Sequence, residues 1–363
     1  MLRRTITPLA ESSIVPEWWV PLFMASSRPS VFVSAEWMQT WLDVYGAEFE
    51  GHWVCWDTDD TVVGGCLIVV RLVRKALFSL RSLYFNATGS ASARTPLAEF
   101  NDVLFVDEHR GGITADLVEH LQLLRWDRMF ISGYEQGGVL HSVLSAIPNA
   151  HIQQEDQSAS YVDLAALKES PLEATLSSNT RSQLRRSTRR YEEQFGSLRL
   201  SRAGDVNEAL LFLGELANLH NSRRSSKGEA GSFESAAVVQ FHQRLVARLF
   251  PKGEVDILCV SCGTTAIGYL YNFVQNGKVY FFQSGFRYDS DAKMKPGLLT
   301  HALAIERYVA EGQREYDFLA GDSQYKRSLA KQTRTLHWSV AFRDKLRIRT
   351  LLKIRNIVRR VRR

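Results

Sequence analysis

One succession of elements can be read twice along this chain, and that repetition constrains the fold more than any single motif. In the second half, Asn179–Gln194 has helical spacing and Ser197–Ser201 alternates as a short strand. Asp205–His220 reads as a helix capped by Asp205, with Ala209, Leu210, Leu213, Leu216, Ala217 and His220 on one face. Phe233–Phe250 is another helix. Three strands follow, Val255–Cys262, Ala266–Val274 and Lys278–Gly285, joined by turns at Gly263-Thr264-Thr265 and Gln275-Asn276-Gly277. Pro296-Gly297 opens a helix to Glu311, Gly312 stops it, and Glu315–Leu319 is a short buried strand. Ser323–Ala330 makes a brief helix and Leu336–Phe342 a last strand.

The first half follows the same order. Ala35–Tyr45 is a helix, and His52–Trp56, Val62–Leu72 and Ala76–Phe85 alternate as strands. Gly112–Leu124 is a helix, Arg128–Ser132 a strand, Gly138–Ala146 a short helix and His151–Gln154 a strand. Thr61-Val62-Val63-Gly64 resembles Thr265-Ala266-Ile267-Gly268, and Phe130-Ile131-Ser132-Gly133 resembles Phe318-Leu319-Ala320-Gly321, each pair at corresponding places. The expected class is α/β (α+β) with two copies of one unit, residues 1–165 and 176–342, followed by a basic segment 343–363. A length of 363 residues suits two domains and buries enough surface that no disulfide or metal is needed for stability.

Cys259 and Cys262 form a CxxC, but residues three apart on a strand face opposite sides and cannot share a metal. No run approaches the ~20 apolar residues of a membrane span, and Glu11, Pro16 and Glu17 interrupt any signal-peptide core. The expected location is cytoplasmic, with peripheral attachment at the inner membrane face as a further expectation. Its basis is the charge: residues 1–342 sum to −3, whereas 343–363 carry +9 with Leu, Ile and Val interleaved. Such a segment suits an anionic membrane surface or RNA, or else forms a solvated terminal helix.

Walker loops, GxGxxG after a strand, HExxH, G-x-S-x-G and zinc spacings are absent. What remains is Tyr316-Asp317-Phe318-Leu319-Ala320-Gly321-Asp322-Ser323-Gln324-Tyr325-Lys326, a hydrophobic strand ending in a Gly-Asp turn with Tyr and Lys beyond it. Ionisable groups at the carboxyl end of such a strand sit where these sheets open a ligand crevice. The bland reading makes Asp322 a helix cap, Lys326 a solvated lysine and His220 a core histidine. The first half offers Gly133-Tyr134-Glu135-Gln136-Gly137 at the corresponding place without the Tyr-Lys pair, so the second copy is expected to work. The Gly/Ser/Ala-rich stretch Tyr84–Thr95 reads as an irregular loop.

These residues resemble the GNAT acyltransferase superfamily, which implies tandem GNAT-like domains here. Pro296-Gly297-Leu298-Leu299, Gly312, and Tyr316–Asp322 with Tyr325-Lys326 are similar to its CelD-like, cellulose-biosynthesis branch. Further matches are Phe32-Val33-Ser34-Ala35-Glu36-Trp37, Asn179-Thr180-Arg181, Leu219-His220 with Arg223, and Gln283-Ser284-Gly285-Phe286. The resemblance implies transfer of an acyl group, acetyl in the simplest case, from acyl-CoA to an amine or hydroxyl acceptor, such as an envelope saccharide or its precursor. A neutral amine attacks the thioester directly, so the enzyme orients two substrates, stabilises an oxyanion and manages two protons. By the resemblance, Tyr325 is the acid for the thiolate, and Asp317 and Asp322 are candidates for the base, with Lys326 beside them. Gln283, Ser284 and Gly285 lie on the strand whose backbone meets the oxyanion. Lys293, Lys295, Gly297 and Leu298 lie where the donor's pyrophosphate meets a helix N-terminus. Arg181, Arg185, His220 and Arg223 are the substrate-binding candidates, and no metal is expected.

Similar acyl-CoA users carry Arg/Gln-x-x-Gly-x-Gly/Ala before that helix. Here the loop is Asp291-Ala292-Lys293-Met294-Lys295-Pro296-Gly297, with one glycine and two lysines. The chain is also similar in architecture to Fem-type peptidyltransferases, which implies aminoacyl-tRNA as the alternative donor. Arg181, Arg185, Arg186, Arg189 and Arg190 would then contact phosphates, unless they form a solvated helix face. A third reading is a non-catalytic scaffold in polysaccharide assembly.

Overall fold

Alternating runs bounded by turn residues become strands, and amphipathic runs become helices that cover them. In chain order the elements are β1 (Arg3–Pro8), α1 (Trp19–Ala25), α2 (Ala35–Tyr45), β2 (Glu50–Thr58), β3 (Thr61–Lys75), β4 (Phe78–Phe85), β5 (Leu104–Phe105), α3 (Arg110–Leu123), β6 (Arg128–Tyr134), α4 (Val139–Ala146) and β7 (Ala150–Asp163). They continue with α5 (Leu172–Thr175), α6 (Ser178–Phe195), β8 (Leu198–Arg202), α7 (Val206–Ser225), α8 (Ala236–Leu249), β9 (Val255–Cys262), β10 (Thr265–Gln275), β11 (Lys278–Phe286), α9 (Pro296–Ala310), β12 (Glu315–Ala320), α10 (Gln324–Leu329) and β13 (Gln332–Arg343). This computed structural model describes residues 1–9, 14–75, 78–88, 96 and 98–344. The basic segment from 345 and the 89–95 part of the Tyr84–Thr95 stretch lie outside the described residues.

The chain divides into two compact units, Met1–Asp156 together with the chain from Leu336, and Gln157–Thr335. The sheet of the first unit runs β1-β2-β3-β4-β6-β13, with β5 beside β3. That of the second runs β7-β12-β11-β10-β9-β8. Neighbours are antiparallel except for one parallel pair in each, β4 with β6 and β11 with β12. The expected mixed, mostly antiparallel sheet flanked by helices is what the chain forms.

The units interleave along the chain, and this differs from the consecutive division at 165–176. Residues His337–Phe342 of β13 pair with β6 in the first unit, and Ala159–Asp163 of β7 pair with β12 in the second. Each sheet is therefore completed by a strand from the other half of the sequence. The strand read as His151–Gln154 continues to Asp163. Glu155, Asp156, Gln157 and Ser158 are polar in both phases of the alternation and hide that continuation.

In the second unit α9 lays Leu298, Leu299, Ala302 and Ile305 into a core shared with Val279 and Phe281 of β11. Cys259 and Cys262 are buried on β9 as free thiols. Among the described residues no helix is long and apolar enough to cross a membrane.

Candidate functional site

The parallel strands β11 and β12 pair over only three residues each, Lys278–Tyr280 with Glu315–Asp317. Beyond that point β11 follows β10 to Phe286, and β12 turns away. The turn has a local cause: Leu319 adopts a left-handed φ of 57°, and Asp317 Oδ1 accepts its N–H at 2.7 Å. Such a conformation costs a non-glycine residue about 1–3 kcal/mol and tends to sit at functional positions. The result is an opened edge on β11.

Phe282 is an extra residue in that edge, because the β10 register steps from Tyr271↔Gln283 to Asn272↔Phe281. A bulge shifts the side-chain phase by one. Phe281 and Phe286, five residues apart, would face opposite ways on a regular strand, yet both join the core under α9. Phe282 faces the other side, against His242, Tyr271 and Phe273. Past the bulge the Ser284 amide points away from β10, where the carboxamide oxygen of its neighbour Gln283 accepts it at 3.0 Å. The Ser284 carbonyl lies 3.3 Å from His220 Nδ1 on α7. A carbonyl only accepts, so Nδ1 carries the proton and Nε2 is the unprotonated nitrogen; Nε2 is buried without a partner among the described residues. Burial lowers the His220 pKa, so the ring is neutral near pH 7.

Gly285 allows α7 to come this close. A Cβ there would stand 2.4 Å from the Leu216 carbonyl oxygen and 2.8 Å from its Cα. Gly285→Ala is expected to push α7 off β11, destabilising the protein by roughly 1–3 kcal/mol, with a lowered thermal midpoint as the measurement.

Tyr325, on α10, occupies the core face of the same strand. Its ring lies parallel to that of His301 at 4.6 Å and meets Phe281 and Phe286 each at 6.4 Å. Burial pushes its phenol up to about 12, partly offset by the Ser323 hydroxyl. His301, hydrogen-bonded to Tyr316, is not among the residues that the sequence pattern singles out. A histidine on the Leu298–Leu299–Ala302–Ile305 face of α9 was the available signal.

The other expected residues divide. Lys326 is buried, its ammonium donating to the Leu319 and Ala320 carbonyls at 3.1 and 2.8 Å, so it holds the end of β12 and is not the solvated lysine of the bland reading. Asp317 is fully buried, 3.1 Å from Lys278 Nζ and 3.7 Å from Arg334 Nε, a geometry that suits anchoring the strand rather than taking a proton. Asp322 is exposed and paired with Arg327. Arg223 covers the Tyr288 ring at 4.3 Å. Arg181 donates to the Leu176 carbonyl and Arg185 to Glu173, while Ser178, Arg181, Ser182, Arg185, Arg186 and Arg189 line a groove of about 500 Å³ along α6.

Before α9, several amides that a phosphate would need are taken. Lys293 N–H goes to Asp291 Oδ1, Met294 N–H to the Asp291 carbonyl, and Lys295 N–H to Ser187 Oγ. Arg190 pins Asp291 at 2.5 Å. Pro296 has no N–H, which leaves the first-turn amides of Gly297 and Leu298, and no side chain caps the helix. Gly297 lies against the Phe286 ring and Leu298 is buried in the core. Among the described residues no cluster of three or more His, Cys, Asp or Glu side chains is placed to hold a metal.

The first unit repeats the three-residue parallel pairing, Ser82–Tyr84 with Arg128–Phe130. There, however, the chain fills the end of β6 itself. Asn101 N–H bonds the Gly133 carbonyl, and a Cβ on Gly133 would stand 2.7 Å from Glu99 Cα. Asp107 and Glu108 precede α3, where the second unit has Lys293 and Lys295 before α9.

Residues 178–327 match the family described as "Acetyltransferase (GNAT) domain". The second unit has the GNAT acyltransferase fold. FemX is similar over 93% of this chain and 96% of its own, with TM-score 0.59 at 10% identity. L-PGS from Bacillus licheniformis is similar over 94% and 96%, with TM-score 0.52 at 11% identity. At such identities the likeness speaks for the GNAT fold alone. No curated protein matches the sequence.

Proposed function

We propose that the GNAT unit transfers an acyl group from an activated carboxyl donor to an amine or hydroxyl acceptor. The observation that carries this reading is the opened edge of β11, which presents the Ser284 amide, with His220 at its carbonyl and Tyr325 on its core face. The acceptor attacks the donor carbonyl, and the charge that develops on oxygen falls to the Ser284 N–H once the Gln283 carboxamide moves aside. His220 Nε2 takes the acceptor's proton, and Tyr325 protonates the leaving group. The acyl bond to the donor's sulfur or oxygen breaks as the bond to the acceptor forms. The CelD-like motifs support an acceptor among amine- or hydroxyl-bearing saccharides or their precursors. The filled β6 end and the acids before α3 support a non-catalytic first unit.

For an acyl-CoA donor, Lys293, Lys295 and the first turn of α9 would hold the pyrophosphate. The occupied amides before α9 and the arginine groove on α6 favour a second reading, aminoacyl-tRNA, in which phosphates are gripped by side-chain charge. Calorimetry with acetyl-CoA and longer acyl-CoAs, beside filter binding of charged tRNA, separates the two. Thioester binding supports the first, tRNA capture without it the second, and neither refutes both in favour of the scaffold.

The His220 assignment has its own signature in pH. Its lowered pKa places the acid limb of kcat/KM below the usual histidine value near 6.5, because the base is lost only on protonation. In His220→Gln the limb should vanish from the residual activity. A limb that persists at the same midpoint puts the base elsewhere.

A further inference from the structure

A fully buried histidine leaves a fold with a polar ring to satisfy. His301, on the core face of α9, satisfies one of its nitrogens. Nδ1 pairs with the Tyr316 hydroxyl at 2.9 Å, and Nε2 is buried without a partner among the described residues. A phenylalanine would fill the same nest, bounded by Phe281, Phe286 and Phe318, and would orphan no nitrogen. What the imidazole adds is a fixed plane. Its bond to β12 stops the ring turning, and its face lies 4.6 Å from Tyr325 at an interplanar angle of 14°. Phe281, Phe286 and Phe318 meet Tyr325 at 79°, 79° and 57°, so the flat support comes from His301. Burial and the Lys326 ammonium keep the imidazole neutral, and the stack therefore persists across the working pH range.

We infer that His301 is a positioning residue: tied to Tyr316, it holds the Tyr325 ring in one plane and so fixes where the phenol hydroxyl stands. The inference rests on Tyr325 being the acid of the proposed transfer. Geometry of this kind governs rate steeply, since a misplaced catalytic group loses its near-attack arrangement while substrate binding is untouched.

Fluorine NMR of protein labelled with 3-fluorotyrosine reads the ring directly, with the Tyr325 signal assigned by its loss in Tyr325→Phe. A ring held without flipping gives two lines, and a freely flipping ring gives one. Wild type and His301→Phe, which keeps a flat face, should give two. His301→Leu, which keeps apolar volume without the face, should give one, and its kcat should fall by roughly 10- to 100-fold with KM unchanged. Tyr316→Phe and His301→Phe, which release the plane but keep a ring, should show smaller losses in kcat. Two lines in His301→Leu overturn the inference, as does a single line with wild-type kcat. If His301→Leu does not fold, wild-type kcat in both Tyr316→Phe and His301→Phe overturns it. Undiminished turnover in Tyr325→Phe refutes instead the assignment of the acid, and the fluorine spectra still decide whether His301 holds the ring.

Discussion

Tyr325→Phe is expected to cost roughly 2–4 kcal/mol of transition-state stabilisation, about 30- to 1,000-fold in kcat/KM, in a protein that stays folded. The substitution removes one hydroxyl and keeps the ring that contacts His301, Phe281 and Phe286, so packing is conserved. With its pKa pushed up to about 12, the phenol is protonated throughout the working range, which makes it an acid and disqualifies it as a base. A leaving thiolate or alkoxide takes that proton as its bond to the acyl carbon breaks. Steady-state and single-turnover rates on wild type and variant check the expectation. Equal single-turnover rates would assign the proton to another donor.

Acid should unfold the second unit through its buried histidines, and His242→Phe should remove a measurable share of that sensitivity. His242 is 2% exposed among Phe233, Phe241, Tyr271 and Phe282, and burial lowers its pKa to about 3. In the unfolded chain the same ring titrates near 6.5. Between those values the unfolded state binds a proton that the folded state refuses. Stability from this group is therefore complete above about pH 7, falls once pH drops below 6.5, and stops falling only near pH 3. The slope is about 1.4 kcal/mol per pH unit, so wild type should lose on the order of 2–3 kcal/mol more than His242→Phe between pH 7.5 and 4.5. Asp256, whose carboxyl burial raises, works in the opposite direction and is common to both proteins, so it cancels in the comparison. Denaturant unfolding at a series of pH values measures the difference. Parallel stability–pH curves would show that His242 is hydrated or protonated in the folded state.

Much of the second unit was legible because local pattern and final environment agree there. The turns after Cys262 and Gln275 separate three alternating runs, and these became β9, β10 and β11. Pro296 at the first helical position and Gly312 just past the end bracket α9. Tyr325 was found because a hydrophobic strand ends shortly before it. His301 was missed because it looks like one polar residue in an apolar helix face, and only the tertiary fold shows Tyr316 and Tyr325 on either side of it. Asp317 and Asp322 were candidates by position alone. Nothing local distinguishes an exposed carboxylate paired with Arg327 from a buried one beside Lys278 and Arg334, since Lys278 and Arg334 lie far from Asp317 in sequence.

By itself the sequence determined most of the elements, though not β1, α1, β5 or α5, together with their repeated order and the segment in which the chemistry is sought, because side-chain period, turn residues and helix caps act within a few neighbours. It did not determine which strand completes which sheet. Strand edges pair by backbone hydrogen bonds that carry no record of sequence distance, so β13 returns to β6 and the second half of β7 goes to β12 only when the folded edges meet. The bulge at Phe282 belongs to the same class, since only the register with β10 reveals it. Together with the left-handed turn at Leu319, which the nearby Asp317 carboxylate holds, it opens the β11 edge that local periodicity reads as one uninterrupted strand.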